Sequence, residues 1–179
     1  GLSTTASTQL EANQASASFG RSVAGAGDVN GDGYSDVIVG AESFANGEID
    51  EGAAFVYHGS AVGVNAVASA QLESNQVEAW FGENVAGAGD VNGDGYSDVI
   101  VGATAFDNGE PGEGAVFVYH GSATGLSTTA STQLEVNQAG ASFGRSVAGA
   151  GDVNGDGYSD VIVGADDFDN GEPDEGAAF

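Results

Sequence analysis

Four oxygen-bearing side chains recur at fixed spacing in a nine-residue stretch, Asp28-Val29-Asn30-Gly31-Asp32-Gly33-Tyr34-Ser35-Asp36. The stretch returns unchanged at Asp90 to Asp98 and at Asp152 to Asp160. Asp, Asn, Asp and Asp fill its positions 1, 3, 5 and 9, and Gly fills position 6. A loop of this pattern turns alternate side chains towards one centre, where position 7 adds its backbone carbonyl. The chemistry is ligation of a hard cation by oxygen alone. The expected ligands are Asp28, Asn30, Asp32, the Tyr34 carbonyl and Asp36 in the first copy. In the second they are Asp90, Asn92, Asp94, Tyr96 and Asp98; in the third, Asp152, Asn154, Asp156, Tyr158 and Asp160. Gly33 permits the sharp turn, because a Cβ would obstruct a positive φ.

The start matches an EF-hand loop, but position 12 does not. It is Val39, inside the apolar run Val37-Ile38-Val39, and not a bidentate Glu. The loop therefore runs into a strand, and Asp36 is left to supply the closing carboxylate. Asn, Asp and Gly also dominate ordinary turns. Three identical copies with the ligands in phase favour calcium over a bare turn, at about three ions per chain. Magnesium suits the stretch less well, because it demands a tight octahedron and retains water.

Composition narrows the partners. The 179 residues carry 27 Asp and Glu against 2 Lys and Arg, a formal charge of −25. This argues against nucleic acid and anionic membrane surfaces as direct partners. The absence of cysteine excludes disulfides and zinc–thiolate sites within the chain. No apolar run is long enough to insert in a membrane as a helix, and the N-terminus does not read as a signal peptide. Any export signal or anchor is therefore expected outside this stretch. A millimolar-calcium exterior suits such loops, so the expected location is extracellular, secreted or at the cell surface.

The elements that position the loops repeat with a period of 62 residues: Phe19-Gly20 returns as Phe81-Gly82 and Phe143-Gly144. Residues 1–55 and 125–179 differ at only six positions, 12/136, 16/140, 42/166, 43/167, 45/169 and 49/173. The chain is expected to be one region, 1–179, with repeats 1–62, 63–124 and 125–179, the last short of a full period. Each repeat predicts four strands and no helix of length. In the first repeat these are Phe19 to Ala26, Val37 to Ala41, Gly52 to His58 and Ala68 to Glu73. A long loop, Glu42 to Glu51, joins the second strand to the third. Thr5 to Glu11 matches the fourth strand and is expected to be one. Four strands per repeat of this length describe a propeller blade. The predicted fold is all-β, about three four-stranded antiparallel blades, as a partial propeller or a ring completed by oligomerisation.

Phe-Gly, the Asp-Val-Asn-Gly-Asp-Gly loop and Val-Gly-Ala together resemble the FG-GAP repeat family, which includes the propeller head of integrin α subunits and bacterial extracellular proteins. The resemblance covers the whole chain. It implies that the calcium loop joins the first and second strands of each blade, on the face opposite the usual ligand face. The chain departs from the family in two ways. Gly-Ala is followed by Glu42, Thr104 or Asp166 and not by Pro. The family's propellers also generally have seven blades.

The resemblance implies a calcium-stabilised module for adhesion or protein–protein binding, the ions rigidifying each blade. Two alternatives stay open: a carbohydrate-binding, lectin-like propeller, and a non-catalytic accessory of a larger secreted protein. Expected partners are a protein or glycan ligand, and other blades from the same parent protein or a second copy of the chain. No catalytic constellation is present: no Gly-x-Ser-x-Gly elbow occurs, and no His is placed as a general base. The acidic loops Ala45 to Glu51, Asp107 to Glu113 and Asp169 to Glu175 are either solvated rims or a second cation or docking surface. His58 and His120 are expected to be structural. Arg21 and Arg145 are expected to pair with a nearby carboxylate, and Trp80 to pack against Phe81 or a neighbouring blade.

Overall fold

The computed structural model describes residues 4–179; residues 1–3, which open the first expected repeat, lie outside the described residues. All the regular structure described is β. The first sheet runs β1 (Val23–Gly27), β2 (Asp36–Ala41), β3 (Ala53–Tyr57) and β4 (Ala70–Leu72), in that spatial order. The second runs β5 (Phe81–Gly89), β6 (Asp98–Ala103), β7 (Ala115–Tyr119) and β8 (Thr132–Leu134) in the same way. The third holds β9 (Ser146–Gly151), β10 (Asp160–Ala165) and β11 (Ala177–Ala178), with β10 in the middle. Every strand pair is antiparallel. These are propeller blades, and the three sheets do not close into a ring.

The strands form where β-branched runs meet glycine-rich turns. Val37, Ile38 and Val39 sit in the middle of their sheet, between β1 and β3. A register shift between Gly25 and Gly27 bends β1 into its calcium-type loop. The same shift falls between Gly87 and Gly89 in β5.

Blades pack face on face. One core joins Ile38, Val56 and Leu72 of the first blade to Phe81, Val101 and Phe117 of the second. A second core joins Ile100 and Val116 to Phe143 and Val163 of the third. Burying a side chain such as Phe81 fully is worth about 1.5–3 kcal/mol. Backbone fixes the spacing between blades. A Cβ on Gly40 would lie 1.9 Å from the Gly82 carbonyl oxygen, and one on Gly82 would lie 2.3 Å from that of Ala53. The Phe-Gly and Val-Gly-Ala motifs are thus two sides of one seam between neighbouring blades.

The segment expected as a strand over Thr5 to Glu11 is not one. Among the described residues, none of the three sheets includes it. Leu10 and Ala12 instead pack on the cluster of Val39, Phe55 and Tyr57. Beside them an open groove of about 490 Å3 is lined by Thr8, Leu10, Val23, Val37, Val39 and Val64.

Candidate metal centre

The three loops between the first and second strands fold alike. In the first, Asp28 Oδ1 accepts the N–H of Gly31 at 2.7 Å and of Asp32 at 3.1 Å, while Oδ2 accepts that of Gly33 at 2.8 Å. Asn30 Oδ1 then accepts from the Asp32 amide at 3.0 Å, and Asp32 Oδ1 from that of Tyr34 at 2.9 Å. Gly31 and Gly33 have φ of 72° and 88°, the left-handed region that a Cβ disfavours. Asp90 closes on Gly93, Asp94 and Gly95 in the same pattern. Asp152 does so on Gly155, Asp156 and Gly157. These N–H donors, that of Gly157 foremost, hold the Asp152 carboxyl below the usual carboxylate range.

Position 9 lies deeper. Asp36 is fully buried, with Oδ2 accepting from Val29 N–H at 2.9 Å and Oδ1 from Gly59 N–H at 2.8 Å. Asp98 repeats this with Val91 and Gly121. Burial pushes its carboxyl above the usual range, against the lowering effect of those two amides. Asp160 is half-buried and keeps the bond from Val153.

The donor set suits a hard cation. It is all oxygen, held in a loop whose first carboxylate is oriented by three amides. Each carboxylate offers about four lone-pair directions, so an amide bond to an oxygen leaves room for a second partner. Among the described residues, no three His, Cys, Asp or Glu side chains already converge as a cage. The carboxylates at positions 1 and 9 face backbone amides, and Asn30 Nδ2 donates to Asp32 Oδ2 at 3.0 Å. Within this loop, Asp28, Asn30, Asp32, the Tyr34 carbonyl and Asp36 are the groups that would hold an ion, with corresponding groups in the other two.

Neighbouring loops are joined. The Asp28 amide donates to Ser97 Oγ at 3.1 Å, and the Ser97 amide returns a bond to the Asp28 carbonyl at 3.0 Å. Asp90 and Ser159 repeat the pair. The Tyr96 ring covers Gly31, where a Cβ would lie 2.5 Å from Cε1. Identical loops in a row carry this contact in their spacing, but sequence reasoning missed it.

The acidic loops between second and third strands are not uniformly solvated. Glu51 and Glu113 are fully buried. Glu113 Oε1 accepts the N–H of Asn108 at 2.7 Å and of Glu110 at 3.3 Å, and Glu51 Oε1 accepts that of Asn46. The Oε2 atoms of both are buried without a hydrogen-bond partner among the described residues. Trp80, expected to pack against Phe81 or a neighbouring blade, is 44% exposed with φ of 55°. It borders a cleft with Arg21, Glu42, Ser43, Glu83 and Arg145. Both arginines do pair with carboxylates, as expected. His58 is half-buried at its strand end, and its Nε2 has no hydrogen-bond partner among the described residues.

The FG-GAP repeat model matches residues 19–57, 81–119 and 143–179. The chain is 38% identical to integrin alpha-7 of Rattus norvegicus over 157 residues, covering 87% of the chain and 13% of that protein. It is 36% identical over 151 residues to integrin alpha-4 of Xenopus laevis, covering 82% of the chain and 14% of the relative. With integrin alpha-V of Gallus gallus it shares 39% identity over 161 residues, 85% of the chain and 15% of the relative. The chain thus spans about a seventh of the length of the curated relatives it matches. Both its motifs, fitted together at each seam, and these matches make the chain a member of the FG-GAP repeat family.

Proposed function

We propose that this chain is a calcium-binding, extracellular propeller module used for adhesion or protein–protein binding. One observation carries the reading: three loops with identical oxygen donors fold to the same amide-braced shape on successive blades. Bound calcium would supply a positive centre that draws the loop oxygens together. The chain's own residues supply the rest. The three amides fix the first carboxylate, and Asp36 and Asp98 tie the loop to the strand and to the turn after the third strand. Ser97 and Ser159 pass the loop position to the next blade. The blade is then a rigid base for the loops at its other end. At millimolar calcium each site would contribute about 1–2 kcal/mol of stability by mass action. Membership among integrin α relatives supports the adhesion and extracellular reading, and no catalytic role is proposed. Among the described residues no helix is long and apolar enough to cross a membrane.

Calorimetric titration tests the reading. It should find about three calcium ions per chain, and Asp94→Ala should remove one. A chelator should lower the Tm, and high sodium chloride should restore only part of the loss, because screening does not replace coordination. No calcium uptake at millimolar concentration, or full rescue by sodium chloride, would sink the proposal.

A further inference from the structure

The chain's only two basic residues occupy the same point of the repeat, Arg21 and Arg145, and the second repeat has Glu83 there. The fold brings the three together. Glu83 is 6% exposed, and its Oε1 lies 2.5 Å from Arg145 Nη1 and 3.7 Å from Arg21 Nη2. Its Oε2 accepts from the Thr104 hydroxyl. A second repeat position varies in step with the first, as Glu42, Thr104 and Asp166. Arg21 Nε lies 3.3 Å from Glu42 Oε2, and Arg145 Nε lies 3.7 Å from Asp166 Oδ2. Two kinds of blade therefore exist. One carries arginine with an acid of its own, the other glutamate with a threonine donor. Both seams in the chain join one kind to the other.

Three arginines here would leave guanidinium groups facing one another across the gap that Glu83 now fills, with no counter-charge between them. The outer faces of the arc are more exposed than the seams. Val23 is 67% exposed and Ile162 is 47% exposed. Their counterparts Val85 and Ile100 are buried in the seams. Glu83 meets the same repeat position of the blade on either side, so by repeat equivalence the position a further blade would meet at each open face holds an arginine, Arg21 at one and Arg145 at the other.

We propose that the Arg21–Glu83–Arg145 alternation is a matching rule between blades, and that each open edge accepts a blade with a carboxylate, not an arginine, at this position. A second copy docked head-to-tail would set its Arg21 against Arg145 and is disfavoured. The partner is a further blade of the glutamate–threonine kind. This inference rests on the blade geometry and is independent of the calcium reading.

A charge-inverted chain tests it: R21E/E42T/E83R/T104E/R145E/D166T, which uses only pairings the protein already contains. The original chain, the inverted chain and their mixture are compared by sedimentation velocity in saturating calcium, with circular dichroism to check the fold. The mixture should associate at least tenfold more tightly than either chain alone, and added salt should narrow the gap. Equal self-association of the original chain, or no association in the mixture, would overturn the rule. Should the inverted chain not fold, Arg145→Gln in the original chain decides. Removing the like charge should strengthen self-association several-fold, and an unchanged or weaker association overturns the proposal.

Discussion

Strands β6 and β10 have the same six residues, Asp-Val-Ile-Val-Gly-Ala, and different surroundings. Every residue of β6 is buried, whereas β10 has one exposed and three half-buried. The second blade has a neighbour on each side. The third has one. Burial of this strand thus depends on what covers its faces: a blade on each side for β6, a blade and the segment of Leu10 and Ala12 for β2, and one blade alone for β10. The same holds for charge: Glu113 is fully buried where the third blade covers it, and its counterpart Glu175 is exposed.

The largest expected break in this comparison comes from the isoleucines. Ile100→Ala should cost about 2–5 kcal/mol in urea denaturation, from lost transfer energy plus a cavity. Ile162→Ala should cost less than about 1 kcal/mol, because its side chain already meets water. Equal losses would mean that the third blade's outer face is covered in solution.

Glycines at the seam come next. A Cβ on Gly102 would lie 2.4 Å from the Gly144 carbonyl oxygen, whereas one on Gly164 meets nothing nearer than Ser146 Cβ at 3.4 Å. Gly102→Ala should therefore cost about 1–3 kcal/mol by forcing two backbones apart. Gly164→Ala should fall within about 0.5 kcal/mol of neutral. Thermal melts of the two variants check the difference.

Glu113→Ala removes the acceptor for two loop amides and should cost about 1–3 kcal/mol. Glu175→Ala should be near neutral, and hydrogen exchange at Asn108 and Glu110 would show the loosened loop directly. The smallest effect is expected from Ser97→Ala, about 1 kcal/mol, as it removes the hydroxyl that accepts from Asp28. Ser35→Ala removes no loop-to-loop hydrogen bond among the described residues and should be near neutral. If both serines behave alike, the loops are not coupled through that hydroxyl.

Much of the fold was legible because its signals are local. Val37-Ile38-Val39 between glycine-rich turns specifies a central strand, and the period specifies a blade. The loop residues were legible for the same reason, since Asp28 through Gly33 fold on one another. What escaped the reading lies between repeats. Nothing near Thr8 says that its segment will lie outside the three described sheets. Glu51 reads as one more acid in a polar loop until Phe81 of the next blade donates its N–H to the Glu51 carbonyl. Trp80 reads as packing on Phe81 or a neighbouring blade, but the cleft it borders, with Arg21, Glu83 and Arg145 drawn from three blades, is not legible from its own repeat. Each of these depends on an adjoining blade or an irregular backbone angle, which no window of sequence contains.

The glycine seam has a consequence for how such a chain can grow. Where Gly40 meets Gly82, and Gly102 meets Gly144, backbone touches backbone with no side chain between them. That part of the joint asks only for glycine and leaves side-chain identity to the apolar core beside it. A copied repeat therefore arrives with both faces already fitted, and the near-identity of 1–55 and 125–179 needs no repacking to be tolerated. Lengthening the chain is a matter of copying whole units in register, and divergence is free to concentrate in the loops and at the few side chains that tell one neighbour from another.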